Sequence, residues 1–171
     1  MSKRDLKKYL ESLDKDQLEL QIIALYDKYP PVKTYYDFVF NPKEELLLRE
    51  SKLKIKNEYF PVKGKRPKAR RSVAQKYIKH FLTLGVDSFI IADVMLYSIE
   101  VAQIYCSEKK LSQEAFFKGI LNSLNQAIHF LIENSILNDF KDRILTIIQE
   151  VICQKWTNEF EFRVILEKIQ N

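Results

Sequence analysis

Two groups of charged side chains in this chain are spaced closely enough to do chemistry. The first is Lys63, Lys65, Arg66, Lys68, Arg70, Arg71, Lys76 and Lys79, eight cations with no acidic residue between Glu58 and Asp87. Like charges this crowded repel one another, so water, internal carboxylates or an outside anion must offset them. The functional reading is a phosphate-binding surface, because cations that neutralise a nucleic-acid backbone release counterions and bind without reading sequence. Tyr59, Phe60, Tyr77 and Phe81 flank the run, and such rings can stack on unpaired bases. Arg49, Lys52 and Lys56 fall on one side of the preceding helical segment and extend the patch. The blander reading is a solvated loop and helix face over buried aromatics.

The second group is Asp93, Tyr97, Glu100 and Gln103, a polar stripe at helical spacing in an otherwise apolar segment. Buried carboxylates are costly unless paired and hydrogen-bonded. Arg70 and Arg71 are the expected partners. They stand at a helix start, where the macrodipole disfavours exposed cations by about 0.3–1 kcal/mol each, and a guanidinium can hold a carboxylate with two bonds. The expectation is therefore an internal ion pair joining Asp93 or Glu100 to Arg70 or Arg71. A carboxylate pair can also serve acid–base catalysis, so an enzyme with a site around Asp93 and Glu100 is the alternative.

Little other chemistry is visible. His80 sits beside aromatics and reads as partly buried, and His129 precedes Glu133 by one turn as a surface pair. Two ligands do not make a metal site, and neither a His-Glu-x-x-His motif nor paired Glu-x-x-His motifs occur. No metal and no cofactor are expected. Gly64, Gly85 and Gly119 are too scattered for a phosphate-binding loop or a dinucleotide fingerprint. The segment after Gly85 is too apolar and too acidic to lie in a DNA major groove as a recognition helix.

The elements that position these residues are helical. Capping pairs Ser2/Asp5, Asp14/Gln17 and Asn41-Pro42/Glu44 start three helices, at about 3–13, 15–29 and 42–58. Pro30-Pro31 ends the second and opens another through Phe40. Pro61, Gly64 and Pro67 mark a loop over 59–68, followed by a helix at about 69–84 stopped by Gly85 as a left-handed cap. An apolar helix at about 87–106 reads as the centre of a bundle. Ser112 can cap the next, to about 133. One near 138–156 points Phe140, Ile144, Ile147, Val151 and Trp156 inward, and Asn158 with Glu161 starts the last.

The whole chain agrees with an all-α reading. Its 171 residues suit one domain with a single core, and 46% apolar and 30% charged residues argue against disorder. Three glycines and five prolines are too few for a turn-dense β fold. The net charge of +5 divides unevenly: residues 1–80 carry 20 cations and 11 acids, the remainder 8 and 12. No uncharged apolar run reaches the roughly 18 residues of a membrane span, and the first residues do not read as a secretory signal. Cys106 and Cys153 read as reduced, buried thiols, and a cytoplasmic location is expected.

The segments Ser2 to Leu10, Tyr36 to Pro42, Lys68 to Lys76 with His80-Phe81, Leu84 to Asp87, Ile91 to Asp93, and Asp139 to Arg143 near Trp156 resemble a small uncharacterised bacterial family of unknown function. The resemblance spans most of the chain. It implies a stand-alone helical protein and supplies no catalytic residues. The combined expectation is a single domain over residues 1–171, a compact bundle of seven to nine helices. Its function would be that of a non-enzymatic binding or regulatory module, with the 63–79 surface engaging an acidic protein or a nucleic acid, and no membrane.

Overall fold

A computed structural model describes residues 2–62, 65–109 and 113–170. Among them are nine α-helices and no strand: α1 (Lys3–Glu11), α2 (Lys15–Lys28), α3 (Pro30–Phe40), α4 (Glu44–Tyr59), α5 (Arg71–Leu84), α6 (Ser88–Glu108), α7 (Glu114–Glu133), α8 (Leu137–Cys153) and α9 (Glu159–Gln170). The chain is all-α, with as many helices as the capping signals lead one to expect. Its contacts group into two units, residues 1–43 and 44–171.

In the first unit the capping boxes form as read. Ser2 and Asp5 exchange bonds at the start of α1, and Asp14 and Gln17 at the start of α2. Pro30 and Pro31 fill the first turn of α3, where a missing N–H costs nothing. α2 and α3 pack as a hairpin, tied by Tyr26 Oη donating to Asp37 at 2.8 Å. Gln21 Nε2 donates to Tyr9 Oη at 2.6 Å and ties α1 to α2. None of the three helices contains a fully buried residue.

The second unit is a helical bundle centred on α6, which packs against α4, α5, α7 and α8. Ten α6 residues are buried, among them Val94, Leu96, Ile99 and Ala102. They meet Leu124 and Leu131 of α7 and Ile144, Ile148 and Val151 of α8 in a sealed core, where a fully buried aliphatic side chain stabilises by about 1.5–3 kcal/mol. α6 is long and apolar enough to cross a membrane, yet over half of its most apolar stretch is buried inside this bundle. Phe117, Trp156 and Phe162 form a second cluster with ring separations of 5.0 and 6.0 Å, under the turn from α8 to α9. Gln103 is reconciled with the core by donating to the Ile147 carbonyl at 2.7 Å.

Several local expectations are corrected. Pro42 lies outside α4, which begins at Glu44, and Asn41 closes α3 instead of opening α4. Glu44 accepts from the Asp87 amide at 3.0 Å and ties the start of α4 to the start of α6. Asn158 does not cap α9, because its buried side-chain amide makes no hydrogen bond. Ser112, like Lys63 and Gly64, lies outside the described residues. Gly85 caps α5 with φ 70°, as read, but α7 and α8 end on left-handed Ser135 (φ 59°) and Lys155 (φ 52°), with no glycine to announce them. Cys106 is only half-buried and Cys153 is exposed, and both are free thiols. Burial pushes the Cys106 thiol up to about 12.

Candidate anion-binding site

The basic segment owes its position to the end of α4. Glu58, one residue before that helix ends, offers its carbonyl to the amides of Lys68 and Ala69 at 2.9 and 3.0 Å. Its carboxylate receives two bonds from the Arg70 guanidinium, at 2.8 and 2.9 Å. This grip folds the loop back on α4 and holds Ala69 at φ 48°, a left-handed conformation unusual for alanine. The hydrogen bond from Arg70 is the main cause that holds the Glu58 carboxyl below its usual range.

Between this loop and α5 lies a cavity of about 570 Å³. Lys54, Lys65, Arg70 and Lys76 bring cations to its wall, Ser72 brings a hydroxyl, and Tyr77 and Val73 bring apolar surface. The cavity's carboxylate is that of Glu58, already held by Arg70. Arg70 occupies the N-cap position of α5 without a capping side-chain bond. The amides of Arg71 and Ser72 donate to no acceptor among the described residues, so the positive end of the macrodipole faces the same region. Concentrated cations, free helix amides and an apolar flank together suit an organic anion.

Some residues of the cluster go elsewhere. Arg66, Lys68 and Lys79 are exposed and lie outside the cavity wall. Arg71 turns toward α7, donating to the Gly119 carbonyl at 2.9 Å and to Ser123 Oγ at 3.3 Å. Lys52 leaves the patch for α6, and Lys54, which the sequence did not single out, takes a place in the wall. Its place on α4 one turn before Asn57 and Glu58, on the same face as both, was the available signal. Of the flanking rings, Tyr59 and Phe81 are buried and Phe60 packs on Tyr105 at 5.9 Å, leaving Tyr77 at the cavity. Burial pushes the Tyr59 hydroxyl up to about 12.

The carboxylate stripe is paired, but with different cations from those expected. Arg143 of α8 donates to Glu100 at 2.6 and 2.9 Å and to Asp93 at 2.7 Å. Lys52 of α4 reaches the other Asp93 oxygen at 2.6 Å and lies 5.1 Å from the Tyr97 ring centre. The pairing of Asp93 or Glu100 with Arg70 or Arg71 is therefore corrected. The stripe faces α4 and α8, whereas Arg70 and Arg71 are taken up by Glu58 and by α7. Arg143 was legible only as one of two cations on α8, three residues after Phe140 and four before Ile147, on the flank of the helix's inward ridge.

Glu100 also borders a groove of about 370 Å³ with Phe60, Tyr97, Val101 and Ile104, but its two oxygens are engaged by Arg143. His80 and His129 are both exposed, which corrects the partly buried reading of His80. Among the described residues no three His, Cys, Asp or Glu side chains group closely enough to hold a metal.

The fold and these sites define an all-α chain with an internal carboxylate–guanidinium network and, separately, a cation-walled cavity. The chain belongs to a family of unknown function (DUF6155), which it matches over residues 1–170. The resemblance carried by its short motifs thus extends through nearly its whole length. No curated protein and no solved structure matches it.

Proposed function

We propose that this chain is a non-enzymatic binding or regulatory module that engages an acidic partner through the surface around residues 63–79. The observation that carries the reading is the cavity walled by Lys54, Lys65, Arg70 and Lys76, whose carboxylate, Glu58, is already bound. Cations held together in this way are stabilised by an incoming anion. Lys65 and Lys76 steer and contact the partner, Arg70 is held ready by Glu58, and Arg66, Lys68 and Lys79 widen the field. An acidic protein segment ranks ahead of nucleic acid, because Tyr59 and Phe81 are sealed in the core and leave Tyr77 as the ring at the cavity. We place this activity in the cytoplasm. The enzyme alternative around Asp93 and Glu100 is weaker, since both carboxylates serve Arg143 and Lys52.

Binding of a fluorescent poly-glutamate peptide and of mixed single- and double-stranded nucleic acid, each at about 50 mM salt, tests the reading. Peptide binding that is lost in Lys65→Glu with Lys76→Glu supports it. Nucleic-acid binding with a log–log salt slope of about −3 to −5 would instead make the partner a phosphate backbone. Absence of binding to either probe overturns the proposal.

A further inference from the structure

The cation-walled cavity carries more positive charge than a single carboxylate can answer. Lys54, Asn57 and Glu58 reach it from one face of α4, and Ser72, Val73, Lys76 and Tyr77 from one face of α5. Lys65 reaches it from the segment that joins the two helices. All of these residues belong to the second unit, so the cavity is that unit's own. Its wall holds four cations, Lys54, Lys65, Arg70 and Lys76, against the one carboxylate of Glu58, a surplus of +3. Among the described residues, none of the three lysines takes part in an ion pair.

The kind of cation left over narrows the ligand. A planar carboxylate is matched by the forked edge of a guanidinium, but Arg70 presents that edge to Glu58 through Nε and one terminal nitrogen. The lysines that remain bind as point charges, which suits the tetrahedral oxygens of a phosphate. A carboxylate or a phosphodiester brings one charge and two free oxygens. A phosphomonoester brings about −1.5 to −2 at neutral pH and three strong acceptors. The volume narrows the ligand further. About 570 Å³ is the size of a small-molecule site, and a bare phosphate ion would fill little of it. The rest of the wall is Pro61, Val62, Val73 and Tyr77, a flank for an apolar group attached to the phosphate.

We propose that this cavity binds a phosphomonoester carried on an apolar or aromatic group, with the phosphate among Lys54, Lys65 and Lys76 and its carrier against Val73 and Tyr77. The proposal rests on the anion-binding function stated above and names the occupant of the same surface more narrowly.

Calorimetric titration of the full chain with phenyl phosphate, phenylacetate and inorganic phosphate, at neutral pH and about 50 mM salt, tests it. Phenyl phosphate should bind at least ~10-fold more tightly than either of the others. Lys54→Gln with Lys76→Gln should abolish its preference over phenylacetate, with helical circular dichroism retained. Tyr77→Ala should weaken phenyl phosphate and leave inorganic phosphate unchanged. A peptide bearing one phosphotyrosine separates the two sources of this chemistry. Tighter binding than phenyl phosphate marks a phosphorylated protein, and equal or weaker binding marks a small phosphate ester. Poly-glutamate binding without any preference for phenyl phosphate over phenylacetate overturns this proposal and leaves the broader function standing. Phenyl phosphate binding without poly-glutamate or nucleic-acid binding does the reverse. A preference that survives the double lysine variant also overturns the proposal.

Discussion

Replacing Arg143 by methionine keeps much of the side-chain volume and removes a guanidinium that makes three bonds of 2.6–2.9 Å to two carboxylates. Removing one member of a fully buried ion pair costs about 3–5 kcal/mol, chiefly because the abandoned charge stays buried. Here Arg143, Asp93 and Glu100 are 28%, 24% and 32% exposed, so water reaches the abandoned groups. Asp93 also keeps Lys52 at 2.6 Å. Those two facts lower the expected loss to about 2–3 kcal/mol, most of it from Glu100, which is left with no other ion-pair partner among the described residues. For a chain of this length that corresponds to a drop in Tm of roughly 4–12 °C.

Urea unfolding followed by circular dichroism should show the midpoint falling with the slope unchanged. The loss should persist at about 0.5 M salt, since partly buried pairs are weakly screened. Glu100→Gln added to Arg143→Met should recover about 1 kcal/mol by neutralising the orphaned charge. A loss below ~0.5 kcal/mol, or no recovery in the double variant, would refute the view that this network is desolvated and structural.

Two further outcomes follow from local geometry. Ser135→Gly should stabilise by about 0.5–1 kcal/mol, because Ser135 ends α7 at φ 59°, and Gly85→Ala should destabilise by a similar amount at φ 70°. Thermal melts of the two variants should therefore shift in opposite directions. The Arg70 hydrogen bond holds the Glu58 carboxyl below its ordinary 4.5, so the unfolded chain binds the proton more readily. The stability that Glu58 confers should be present above pH 4.5 and lost as pH falls through the depressed value. Glu58→Gln should thus be less stable than the parent at pH 6, by no more than about 1 kcal/mol for so exposed an arginine, with the gap closing in acid.

The helices were legible because their signals are local. A capping box at Ser2 and Asp5, a proline pair at residues 30–31 and a glycine at 85 act within one turn, and the structure uses each of them. Local signals also misled where tertiary contacts outweighed them. Glu44 looked like a capping partner for Asn41 but is engaged by the Asp87 amide. Asn158 looked like a cap and is buried without a hydrogen bond. The ends of α7 and α8 were blurred because serine and lysine, not glycine, take the left-handed positions.

Of the candidate sites, the sequence alone determined that a basic cluster lies beside a helix start and that Asp93 and Glu100 need cations. Periodicity places charges on a helix face, and burial makes an unpaired carboxylate untenable. Only the tertiary structure decided which cations answer. Arg143 lies 50 residues from Asp93 and 43 from Glu100 along the chain, and α8 packing on α6 brings them within hydrogen-bond reach. The same holds for the basic cluster, which divides among Glu58, Gly119 and the cavity because α4 and α7 flank it in space. Pairing at such separations depends on which helix faces meet, and no spacing within a single helix encodes that.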